Sequence, residues 1–96
     1  MGTYQSTDPD KVCLREILTE VCEGITVRYT LFCERENGRK YYSIGVSAMP
    51  AHESVLVRDI TGESAFAERI FDLVAEGKVT PVSASEVIED LIETYL

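Results

Sequence analysis

An Asn37-Gly38 pair sits between two alternating apolar runs, residues 25–36 and 39–49, and no other stretch constrains the fold as tightly. A type I′ turn needs positive φ at both central residues, and asparagine and glycine tolerate it best. Counting outward from that turn sets Cys33 opposite Tyr42, Leu31 opposite Ile44, Tyr29 opposite Val46 and Val27 opposite Ala48. All of these pairs are apolar. The alternate pairs, Glu34 with Tyr41, Phe32 with Ser43, Thr30 with Gly45 and Arg28 with Ser47, each contain a polar residue or glycine. One face of the hairpin is therefore core and the other is wet.

Lys11 to Cys22 reads as a strand that enters the hairpin through a tight turn at Glu23-Gly24. Pairing outward from that turn puts Leu14 opposite Cys33, Leu18 opposite Tyr29 and Val12 opposite Arg35 on the core face. Thr19 opposite Arg28 and Cys13 opposite Glu34 fall on the other face. Both hairpins then use the same face of the shared strand, which is the pattern of a β-meander. This register turns Glu16 and Glu20 inward, as edge strands do to resist edge-to-edge pairing, and a helix over residues 11–22 is the competing reading.

Pro50 ends the third strand, and Val55 to Ile60 make a short fourth one. Two registers are open. One buries Val55 and Val57, which a four-residue connection favours, and the other buries Leu56 and Ile60. Thr61 is placed to cap a helix over Gly62 to Glu76, where Phe66, Ile70, Leu73 and Val74 recur at helical spacing and Gly77 suits a left-handed C-cap. A second helix follows, with Ser83 and Glu86 as a capping box or Thr80-Pro81 as an earlier start. Its apolar stripe is Val87, Ile88, Leu91, Ile92 and Tyr95, and its polar face carries Glu86, Glu89, Asp90 and Glu93. The expected fold is α+β: a four-stranded antiparallel β-meander followed by an αα-hairpin packed on one sheet face. Residues 1–10 read as a disordered leader and residues 11–96 as a single α+β domain.

The chain carries a net charge of −8, and residues 63–96 hold eight acids against two bases. Affinity for nucleic acid is built largely from phosphate neutralisation by lysine and arginine, so we expect no nucleic-acid partner. We expect no membrane partner either, since no run approaches the roughly 18 apolar residues of a span and the N-terminus lacks a signal-peptide core. Met1 to Ser6 fits the form of a myristoylation motif, but one acyl chain without a basic patch binds membranes only marginally. A cytoplasmic location follows as the expectation.

Three cysteines raise the question of a disulfide or a metal. In the expected meander Cys22 and Cys33 share a face but lie roughly 27 Å apart at about 3.4 Å per residue, and Cys13 projects from the other face. Their spacing matches no zinc pattern, so reduced thiols are expected. His52, the single histidine, lies in the loop Pro50-Ala51-His52-Glu53 with no obvious nucleophile beside it. The glycines are scattered as turn and cap residues rather than gathered into a phosphate loop. No catalytic residue, no cofactor site and no metal site is expected.

Three segments carry a resemblance. Asn37-Gly38-Arg39-Lys40 leading into Tyr42 to Val46, Arg58-Asp59-Ile60-Thr61 before the first helix, and Gly77 to Val82 leading to Val87 to Ile92 resemble domain of unknown function 6514, a family of small bacterial proteins. The resemblance covers roughly residues 12 to 95. It implies a bacterial cytoplasmic origin and a compact α+β domain, and it implies no activity. The short connection between the third and fourth strands differs from the longer hairpin associated with that family.

The open sheet face is the most informative surface. Thr19, Thr26, Arg28, Thr30, Phe32, Tyr41, Ser43 and Ser47 make a mixed platform, where a face meant only for water is more often dense in lysine and glutamate. Aromatic residues with a nearby arginine are enriched at interfaces, so Arg28, Phe32 and Tyr41 are the expected partner-binding residues. The expected function is a small non-enzymatic interaction module, working as a homodimer or with a protein partner. Two alternatives are a small ligand-binding protein or enzyme with a site near the Pro50–Glu53 loop, and an acidic nucleic-acid mimic using the second helix.

Overall fold

A computed structural model describes residues 10–95. The leader expected over residues 1–10 lies, apart from Asp10, outside the described residues, as does the myristoylation-like motif. Strands β1 (Lys11–Cys22), β2 (Ile25–Glu36), β3 (Arg39–Met49) and β4 (Glu53–Thr61) form one antiparallel sheet in the order β1-β2-β3-β4. Helices α1 (Ser64–Glu76) and α2 (Pro81–Tyr95) follow and pack on one face. This is the expected meander and αα-hairpin.

The central hairpin has the register that the turn dictates, with Leu31 opposite Ile44 and unbroken pairing from Glu36–Arg39 out to Thr26–Met49. Asn37 (φ 54°) and Gly38 (φ 78°) both adopt the left-handed conformation that the turn requires. Val27, Tyr29, Leu31, Ile44, Val46 and Ala48 are buried on the helix side. Burial raises the pKa of the Tyr29 phenol, whose hydroxyl donates to the Val79 carbonyl at 2.8 Å and ties the sheet to the connection between the helices.

β1 is a strand, but its register differs from the expectation. Pairing begins with Cys22 opposite Ile25, then slips by one residue at Val21 and again at Leu14. Ile17 rather than Leu18 lies opposite Tyr29, Leu18 lies opposite Arg28 at 53% exposure, and Val12 lies opposite Cys33 rather than Arg35. The same slip carries Glu16 and Glu20 to the open face, where Glu16 pairs with Arg28 at 3.1 Å. The physical reason is desolvation. A carboxylate turned into an apolar core costs several kcal/mol, and a β-bulge reverses which side chains face inward for one unpaired residue. Arg15 takes the helix side instead. Its Nη1 donates to Glu68 and Asp72 of α1, each at 2.8 Å, and its guanidinium lies 4.9 Å from the centre of the Phe71 ring.

On the other flank, Val55 lies opposite Val46 and Val57 opposite Ile44, so the valines face the core and Leu56 the open side. An irregularity beyond Val57, with Asp59 at φ 57°, also brings Ile60 against the core. α1 starts at Ser64 rather than Gly62. Thr61 remains in the strand, and its Oγ1 accepts the Glu63 N–H at 3.1 Å, while Glu63 occupies the cap position without a side-chain cap bond.

Gly77 is not the left-handed residue at the helix end: its φ is −77°, and Lys78 adopts φ 53°. The Lys78 N–H bonds the Ala75 carbonyl at 3.1 Å and the Val79 N–H bonds the Val74 carbonyl at 3.3 Å, so the Schellman pattern is built one residue later than expected. α2 takes the earlier start. Thr80 precedes Pro81, and its carbonyl accepts the Ser83 N–H at 3.2 Å. Its buried contacts are Pro81, Ala84 and Ile88, with Leu91 and Ile92 partly covered, while Tyr95 is exposed and stacks under Arg69 of α1 at 4.6 Å.

The β1 register separates two neighbouring side chains. Ile17→Ala should lower stability by about 2 kcal/mol or more in a denaturant titration, as for a core truncation, while Leu18→Ala should change it by less than about 0.5 kcal/mol. At the end of α1, Lys78→Gly should raise the thermal midpoint, since a glycine at positive φ removes a strain of roughly 1 kcal/mol.

Candidate binding surface

The face of the sheet away from the helices has two halves of different character. Toward the Asn37-Gly38 end, side chains from β2, β3 and β4 form a closed polar cluster. Ser43 is fully buried, and its Oγ donates to Glu34 Oε2 at 2.6 Å while accepting the Asp59 N–H at 3.3 Å. Arg58 Nη2 donates to the Tyr41 hydroxyl and lies 3.4 Å from Glu34 Oε1. Arg39 holds Asp59 through two hydrogen bonds, the shorter 2.6 Å, and the guanidinium groups of Arg39 and Arg58 lie 5.1 and 5.7 Å from the centre of the Tyr41 ring. The Arg39 hydrogen bonds hold the Asp59 carboxyl below its ordinary pKa.

The cluster explains how a carboxylate can sit beneath the surface. Glu34 is buried, and a buried charge is tolerated only when it is paired and hydrogen-bonded. Ser43 and Arg58 supply those bonds. The left-handed backbone at Asp59 in turn delivers its N–H to Ser43, so the β4 irregularity and the buried carboxylate support each other.

The other half of the face is a shallow groove enclosing about 530 Å³ between β1 and β4. Gly45 forms part of its floor. A methyl group there would sit 3.4 Å from the Phe32 ring and 3.8 Å from Leu56 Cδ1, so the missing side chain leaves a hollow between them. Arg28 and Glu16 border the groove on the β1 side, Lys11 Nζ lies 4.5 Å from the Phe32 ring centre, and Ser47 and Ser54 line the β4 side.

Of the three residues singled out from the sequence, Arg28 is exposed and Phe32 is half-buried in the groove. Tyr41 lies on the same face, diagonal to Phe32, but is 3% exposed beneath its two arginines, so its ring is part of the polar cluster and not of the free surface. The alternation pattern assigned these residues to the open face; only the cross-strand arginines could have revealed the burial of Tyr41. Leu18 and Leu56 are exposed members of this face that sequence reasoning placed in the core or left between two registers.

His52 is exposed in the β3–β4 turn, away from the groove lining. Cys13 lies in the groove opposite Phe32, Cys33 is partly buried on the core side, and all three thiols are free. Among the described residues no group of three or more histidine, cysteine, aspartate or glutamate side chains could hold a metal ion. No helix among them is long and apolar enough to cross a membrane.

One family model matches residues 10–94, which takes in every strand and nearly all of both helices. The chain belongs to the family of unknown function DUF6514. The DUF6514 match therefore spans both the polar cluster and the groove. No curated protein and no solved structure matches the chain.

Two substitutions test the polar cluster. Ser43→Ala strips a buried carboxylate of a hydrogen bond and should cost about 2 kcal/mol in a denaturant titration. Asp59→Asn tests the ion pair while keeping a residue that tolerates positive φ. Because the folded state lowers the Asp59 pKa, its contribution is complete above the ordinary value of 3.8 and is lost as pH falls through the lower folded value. The thermal midpoint of the unaltered protein should fall in that acid range, and Asp59→Asn should flatten the fall.

Proposed function

We propose that this DUF6514 protein is a non-enzymatic interaction module whose open sheet face docks a second copy of the chain. The carrying observation is the composition of that face. It bears exposed Leu18 and Leu56 and half-buried Phe32, and its charges nearly balance, with Lys11, Arg28, Arg39 and Arg58 against Glu16, Glu20, Glu34, Glu36 and Asp59. The whole chain has a net charge of −8, so two copies repel least where the local charge is nearest neutral. Apolar side chains ringed by nearly balanced charge are the anatomy of a protein interface.

A bacterial cytoplasmic setting without nucleic-acid or membrane partners accords with the acidic helical half and the unpaired cysteines. The acidic side chains Glu86, Glu89, Asp90 and Glu93 lie exposed on α2, on the other layer of the molecule, where they oppose association through the helices.

Light scattering over a concentration series tests the proposal. A dimer should form with rising concentration, and Leu56→Glu, which places a charge on the open face outside the core, should abolish it without a large change in thermal midpoint. Glu89→Gln on α2 should leave it intact. A chain that stays monomeric at roughly millimolar concentration, where even a Kd of about 1 mM populates dimers, would remove the second copy from this face.

A further inference from the structure

The groove half of the open face carries a hydroxyl without a hydrogen bond and an ammonium without a carboxylate, and they point to a ligand smaller than a protein. Thr30 is nine-tenths buried and lines the groove, yet its hydroxyl makes no hydrogen bond among the described residues. Lys11 is half-buried at the same groove, with its ammonium over the Phe32 ring and no carboxylate partner among the described residues. Arg28 is the second cation of the lining and Glu16 its single carboxylate, so the groove is locally positive in an acidic protein.

We propose that this groove binds a small, flat, singly charged organic anion. The shape follows from Gly45: its missing side chain leaves a shallow floor flanked by the Phe32 ring and Leu56, which accepts a planar apolar body. The volume of about 530 Å³ is that of a small-molecule site. The charge follows from Lys11 and Arg28, and the polar contact at the floor from Thr30. Such a ligand buries its flat body against Phe32 and Leu56 and turns its acidic group to the ammonium of Lys11. This rests on the reading of the open face as the working surface, and because Phe32 and Leu56 serve both occupants, the ligand and a second copy exclude each other there.

The test is a nuclear magnetic resonance titration of isotope-labelled protein with 2-naphthoate, at a concentration where light scattering reports a monomer. 2-Naphthylmethylammonium, the same ring system with the opposite charge, is the control. Naphthoate should give saturable shifts centred on the amides of Thr30, Phe32, Gly45 and Leu56, and the cation should not. Lys11→Met should weaken naphthoate binding about tenfold, the scale of a lost charge-assisted hydrogen bond. Thr30→Val should weaken it about threefold or more while leaving the thermal midpoint unchanged or higher, because the hydroxyl it removes has no partner to lose.

Several results would overturn the proposal: no saturable shift at millimolar naphthoate, equal binding of the two probes, or binding insensitive to both substitutions. A fall in thermal midpoint with Thr30→Val would show that the hydroxyl is already satisfied within the protein, and would also count against it. Failure of the second-copy reading appears separately, as a monomer at every concentration in light scattering, and leaves the titration unaffected.

Discussion

The pairing of β2 with β3 is the constraint from which the rest of this structure follows. A two-residue turn with both residues left-handed allows one register, and that register fixes Tyr29, Leu31, Ile44 and Val46 on a single face. Each flanking strand then adjusts to this pair. β1 inserts single residues at Val21 and Leu14, and β4 departs from regular pairing after Val57, while the central pair has no irregularity. The helices cover the face that the hairpin defines, and Phe71, Ile70 and Val74 of α1 complete the core.

The central hairpin and the layering were legible because alternation, turn chemistry and helical periodicity all agree there. The β1 register was not, for a definite physical reason. Alternation assigns faces by counting, and one inserted residue reverses the count for everything beyond it. The sequence did hold a sign of the slip, since the uninterrupted register turned Glu16 and Glu20 inward. Once the bulge is in place, the glutamates reach the open face and Arg15 reaches Glu68 and Asp72. Inward charge on this strand is better read as a register shift than as an edge defence.

The helix ends show a similar limit. Gly77 and Ser83 are both good cap residues by type, yet the chain ends α1 at Lys78 and starts α2 at Thr80 and Pro81. Tertiary contact decides between local choices of similar energy. Val79 packs against the core, and the Tyr29 hydroxyl bonds its carbonyl, so the turn is placed where Val79 can reach the sheet. A cap difference of under about 1 kcal/mol gives way to burying a valine together with a hydrogen bond from a buried phenol.

The two halves of the open face differ in satisfaction, and this bears on where function resides. At the turn end, Glu34, Ser43, Tyr41, Arg58, Asp59 and Arg39 all find partners, so that end is a closed polar structure with little left to offer a ligand. At the groove end, the Thr30 hydroxyl makes no hydrogen bond with the described chain, and the Lys11 ammonium has the Phe32 ring for a neighbour and no carboxylate. From the sequence, Tyr41 stood with Arg28 and Phe32 as a partner-binding residue, because aromatics near an arginine are types that interfaces favour. Geometry separates Tyr41 from the other two. A polar group with its bonds complete within the fold holds the protein together, whereas a groove hydroxyl with none is free to exchange water for a ligand.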